Sequence, residues 1–222
     1  MISYLTPSTF AEFVCFLIAV ICLKKDSNIV WRCMIGYLLL TCIIEIIGIY
    51  TGRKYHNNHW VYNLFLLPEI GFTFLMISHL LSSYKKKNNL VIMPGVVLLL
   101  LLYIYEIFSH GLFKYDFLTF TTMSVIFVLY SLYYYYLLLS DEQYLNLRRS
   151  PEFWWTVGVL FFYFGSTVCN MFNERLYSVM ITSNHHLSYF VFKALNIILY
   201  SCWAYSFICR KWQMKKLEIS QQ

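Results

Sequence analysis

Apolar residues run through this chain in blocks of about twenty, each closed by a short polar or charged link, and that alternation predicts the architecture. Seven blocks can be read, near residues 8–24, 29–50, 60–83, 90–109, 117–139, 151–172 and 187–209. About 20 residues at 1.5 Å each match a hydrocarbon core of about 30 Å. The expected fold is all-α: a polytopic membrane protein built as a seven-transmembrane-helix bundle, with a basic cytoplasmic tail over 210–222.

The basic residues orient the bundle, because positive charge near span ends is retained on the cytoplasmic side. Lys24, Lys25, Arg32, Lys85, Lys86, Lys87, Arg148, Arg149, Arg210, Lys211, Lys215 and Lys216 fall on one side, whereas only Arg53, Lys54, Lys114 and Arg175 fall on the other. The N-terminus is therefore expected outside and the C-terminus inside.

Composition agrees with the bilayer as solvent: 59% of the 222 residues are apolar and 13% charged, too few polar groups to clothe a soluble domain. The net charge of +6 lines the expected inner face, where it suits membrane topology and anionic-lipid contact better than nucleic acid. The seven cysteines all lie in apolar blocks and read as small buried hydrophobes, with no disulfide framework. The first nine residues lack a basic n-region and no small-residue cleavage site follows, so the first block is expected to be retained.

Polar residues inside the blocks are where chemistry is to be sought, since an acid at membrane depth is costly unless paired, protonated or hydrated. Thr9 to Glu12 has capping-box spacing, which gives Glu12 a structural role at the start of the first span. Glu45 lies about five residues, or roughly 7–8 Å, below the outer end of the second span at Tyr50. Gly48 permits close approach of a neighbouring helix. In the third span, Pro68 removes a backbone bond and crowds the carbonyl of Leu64, which predicts a bend just above Glu69 and Gly71.

Further along, Glu106 and His110 share a helix face and read as a solvated structural contact. The tyrosines from Tyr130 to Tyr136 suit the inner interface rather than a cofactor box. Ser150-Pro151-Glu152 is a helix-start signature, and Gly158 and Gly165 on one face predict a close helix contact. Asn170, Asn173 and Glu174 close the sixth span, the adjacent pair His185 and His186 lies in the link that follows, and Lys193 and Asn196 lie in the outer half of the seventh.

These positions suggest an outward-facing polar cavity. If the second, third and seventh spans adjoin, Lys193 has Glu69 and Glu45 as candidate partners, while Asn63, Asn170 and Asn196 add hydrogen bonds. The six residues form the expected ligand-binding set. A plain alternative is that the asparagines only fix helix register, since interhelical polar contacts are common and individually weak. A retinal-type Schiff base on Lys193 with Glu69 as counter-ion is disfavoured because Lys193 lies too near the outer end. A zinc hydrolase is disfavoured because His56, His59, His79, His185 and His186 do not converge by spacing. No catalytic residue, metal or cofactor is assigned.

The run Glu45-x-x-Gly48-x-Tyr50, then Asn57-Asn58-His59-Trp60-x-Tyr62-Asn63 and Pro68-Glu69, resembles small uncharacterised seven-helix membrane proteins of Bacteroidota-type bacteria. So do Phe153-Trp154 through Phe161 to Gly165, and Leu195-Asn196 through Tyr200. The resemblance implies an inner-membrane protein with no assigned reaction and a role in sensing at most. The expected function is a receptor-like sensor or sensing subunit for a small polar or amphiphilic ligand, signalling through a membrane partner. The alternative is a proton-coupled small-molecule transporter that uses Glu69 and Lys193. A repeat around the third and seventh spans would favour transport, but the proline-acid pair has no counterpart in the seventh.

Overall fold

The computed structural model describes residues 6–84, 89–141, 146–182 and 185–220. Of the basic inner link, Lys85, Lys86 and Lys87 lie outside the described residues, as do the side chains of Asn173, Glu174 and His185. The chain is helical but for one small hairpin. In order it forms α1 (Pro7–Leu23), α2 (Ile29–Tyr55), α3 (His59–Ser82), α4 (Asn89–His110), α5 (Phe117–Ser140), a 3-10 turn (Leu147–Arg149), α6 (Pro151–Met171) and α7 (Asn173–Ser178). Then come β1 (Met180–Thr182), β2 (His185–His186) and α8 (Leu187–Ser220). The two strands pair antiparallel, Met180 opposite His186.

Among the described residues five helices, α2 to α5 and α8, are long and apolar enough to cross a membrane. At 17 residues α1 is apolar but short, while α6 has the length and is diluted by Trp154, Trp155, Tyr163 and its hydroxyl and amide residues. Helix ends also depart from the expected spans. Helix α2 continues one turn past Tyr50, so Arg53 and Lys54 belong to its last turn, where they face the negative end of the helix dipole. Helix α8 runs without interruption through the expected tail to Ser220. The link before it folds into α7 and the hairpin.

The chain divides into two compact units, residues 28–141 and residues 1–27 with 142–222. In the first, α3 is the hub. Half of its apolar window is buried, against 17% for α2, because it packs on α2, α4 and α5. Tyr37 of α2 stacks on Phe72 with ring centroids 4.3 Å apart. Phe74 meets Phe127 and Tyr130 of α5 edge-on. Tyr130 also donates to the carbonyl of Val91 at 2.8 Å, one turn ahead of Pro94, where the proline disturbs the helix ladder. The tyrosines near the end of α5 differ in setting: Tyr134 is buried and Tyr136 exposed.

In the second unit α8 packs along α1 and α6. Cys15, Ala19 and Cys22 put a small-residue face of α1 inside the unit. The glycine face of α6 does what its spacing predicted: a methyl group at Gly158 would meet Cys202 at 3.1 Å, and one at Gly165 would collide with Leu195. Trp155 and Trp203 stack nearly parallel, 5.8 Å apart. One earlier expectation is corrected. The N-cap of α1 is Thr6, which accepts from the Thr9 amide, so Thr9 and Glu12 do not form a capping box and Glu12 is buried inside the helix.

Candidate functional site

Polar side chains of the 28–141 unit converge on the link from Gly111 to Asp116, between α4 and α5. Gly111 ends α4 with φ of +72°, a left-handed conformation that glycine adopts without strain. Two side chains from outside the link, Asn57 and Asn63, then tie it down. Asn57 donates to the Phe113 carbonyl at 3.1 Å. Asn63, near the start of α3 and 1% exposed, donates to the carbonyls of Leu112 and Lys114 and accepts from the Asp116 amide at 3.3 Å.

Glu106 secures the start of α5, just past the link. It reaches from α4 to accept from the amides of Leu118 at 2.9 Å and Thr119 at 2.7 Å, capping the first turn of α5 from a neighbouring helix. The positive end of that helix dipole and two charge-assisted bonds compensate its burial. The solvated pairing with His110 expected from sequence is thereby replaced by a buried contact with backbone. Asp116 occupies the N-cap position of α5 but makes no capping bond of its own.

Asp116 is 2% exposed, and its Oδ2 has no hydrogen-bond partner among the described residues. An ionised carboxylate in that setting is costly, so the surroundings favour the proton. Burial first, then the neighbouring Glu106, push the carboxyl up to about 6, while His110 pulls the other way. Tyr115 stands beside it. Burial and the negative charge of Glu69, Glu106 and Asp116 raise its phenol above the ordinary range. Its ring meets His59 at 5.9 Å and Phe120 at 6.0 Å.

The six residues expected to bind a ligand are distributed as follows. Within the 28–141 unit, Asn63 binds the link and Glu69, half-buried in the middle of an unbroken α3, acts on Tyr115. Glu45 instead faces α2's neighbour at a different point, accepting from the Tyr62 hydroxyl at 3.2 Å. Tyr62 lies directly over Gly48, where a methyl group would approach its hydroxyl to 2.6 Å, which realises the close approach expected there. Asn58 adds a bond to the Gly48 carbonyl at 3.3 Å.

Asn170, Lys193 and Asn196 belong to the other unit. Lys193 places its ammonium 4.0 Å from the centre of the Tyr189 ring, one turn back on α8. Asn196 donates to the carbonyl of Phe192 within the same helix at 2.9 Å. Asn170 is half-buried near the end of α6.

Asp116 and Tyr115 were missed by the search for acids inside apolar blocks because both lie in a link. The available signal was the pairing of an acid at a helix start with a second acid, Glu106, one short loop away. No family model matches the chain, and neither curated proteins nor solved structures yield a match.

Proposed function

We propose that this chain is a seven-span inner-membrane protein, N-terminus outside, with α1 and α6 joining the five longer apolar helices as spans. In that orientation the Asn63–Glu106–Tyr115–Asp116 cluster lies at the outer ends of α3, α4 and α5. Its function is that of a receptor-like sensor, or sensing subunit, for a small polar ligand that carries a hydrogen-bond donor. The observation supporting this reading is the buried Asp116 carboxylate oxygen that lacks a hydrogen-bond partner among the described residues, held beside a phenol and a second acid on a link fixed by Asn57 and Asn63. A protonated amine or a bound proton would complete that site; a signal would pass to a membrane partner.

The test uses the full chain in nanodiscs, with a panel of small primary and secondary amines as probes. Stabilisation by at least one amine, weakened about tenfold in affinity in Asp116→Asn and unchanged in Glu45→Gln, is expected. Amine stabilisation indifferent to Asp116 and Glu69 alike would sink the reading. Net flux of the same probe into liposomes, abolished by Glu69→Gln, would favour the transporter instead.

A further inference from the structure

The unit containing α1, α6 and α8 carries a cleft of about 530 Å³ at the opposite end of α8 from Lys193, lined by Arg149, Ser150, Glu152, Trp212, Lys215 and Lys216, with Cys209 buried among its walls. From this cleft we infer a binding site for a phosphate group, supplied by the headgroup of an anionic phospholipid. The site is independent of the outer cluster.

Three features carry the inference. At 1.5 Å per residue the 34-residue α8 is about 50 Å long, so its last turns extend well beyond a core of about 30 Å. On that extension Cys209, Trp212, Gln213 and Lys216 are spaced three and four apart and share one face, with Lys215 at its edge. The same face borders the cleft together with the 3-10 turn.

The turn opposite is rigidly placed. The Arg148 carbonyl accepts from Trp154 Nε1 at 3.2 Å and from the Tyr205 hydroxyl at 3.3 Å, which fixes Arg149 at the cleft. The charges differ in how they are used. Arg210 is consumed by Asp26 and Gln213. The side chains of Arg149, Lys215 and Lys216 make no hydrogen bond or ion pair with another described residue. Among the described residues Glu152 is the one acid lining the cleft, and it accepts from Ser150 Oγ at 3.1 Å at the positive end of α6.

Three cations against one engaged acid leave the cleft positive. Trp212, half-exposed, presents an indole of the kind that settles at headgroup level. A guanidinium and two ammonium groups around one hollow suit a phosphate better than a carboxylate, because each phosphate oxygen can take a separate donor. The adjoining apolar helix favours a lipid as the source over free phosphate.

The experiment reconstitutes the full chain in nanodiscs of phosphatidylcholine with and without phosphatidylglycerol, then measures lipid retained through a detergent wash by mass spectrometry. Wild type should retain phosphatidylglycerol selectively. The triple variant Arg149→Gln, Lys215→Gln, Lys216→Gln should lose that retention by about tenfold or more, as expected for removing three interfacial charges. A control triple variant, Lys24→Gln, Lys25→Gln, Arg32→Gln, removes equal charge outside the cleft and should keep it.

Equal loss in both triple variants, or loss in neither, would overturn the site. Inorganic phosphate and glycerol 3-phosphate, added as competitors, separate the sources. Displacement of lipid only by phosphatidylglycerol supports the headgroup, whereas tight binding of inorganic phosphate with the same residue dependence overturns the lipid as source and keeps the phosphate chemistry. If the cleft triple variant does not purify, Arg149→Gln alone, on an exposed turn, carries the same comparison against Arg149→Lys.

Discussion

Arg210 holds Asp26 in a two-pronged grip, Nε to Oδ2 at 2.8 Å and Nη2 to Oδ1 at 3.2 Å, although the residues are far apart in the chain. The carboxylate side chain is fully buried and the guanidinium 15% exposed. This pair joins the turn after α1 to the last third of α8, and it anchors the packing along which Cys15, Ala19 and Leu23 are buried.

Removing one partner of a buried pair leaves the other charge uncompensated, at a cost of about 3 kcal/mol. Asp26→Asn should therefore lower thermal stability in detergent markedly. The double variant Asp26→Asn, Arg210→Gln should recover part of the loss. A melting temperature unmoved by Asp26→Asn would show that the grip contributes nothing to stability.

Glu106 caps α5 through two backbone amides, so Glu106→Ala should strip both bonds and destabilise the 28–141 unit by about 1–3 kcal/mol. Glu106→Gln keeps one acceptor oxygen and should fall between wild type and alanine. Hydrogen exchange at Leu118 and Thr119 provides the direct measurement, with faster exchange expected in both variants and more so in alanine.

The elevated Asp116 carboxyl fixes the sign of a pH effect. Its native value of about 6 lies above the ordinary 3.8, so between those values the folded chain holds a proton that the unfolded chain releases. Stability should fall as pH rises through that window, by up to about 3 kcal/mol for two units, and level off above it. Asp116→Asn should flatten this part of the profile. Comparison of unfolding at about pH 4 and about pH 7 in the two proteins measures the difference.

Gly48 and Tyr62 form a second tight relationship. Gly48→Ala should cost about 1–3 kcal/mol by forcing the Tyr62 ring away from α2 and stretching its bond to Glu45. Tyr62→Phe removes the closest atom and should partly rescue the alanine variant. A double-variant cycle that shows simple additivity would mean the two do not touch in the membrane.

Much of the helical layout was legible in residue order alone. Blocks of apolar residues about twenty long can satisfy their backbone only as helices in a bilayer, so all-α character followed from length and hydropathy. Gly158 and Gly165 announced a close contact because residues seven apart share a face, and Ser150 with Pro151 announced the start of α6 because its cap bond is local. Tertiary structure alone decided which polar groups meet. Glu106 left His110 for the backbone of α5, Asn63 took the α4–α5 link, and Arg210 took Asp26. These partners are separated by loops whose course no periodicity encodes. Burial of Asp116, and with it the chemistry proposed here, depends on the ties of Asn57 and Asn63 to one short link and of Glu106 to the start of α5.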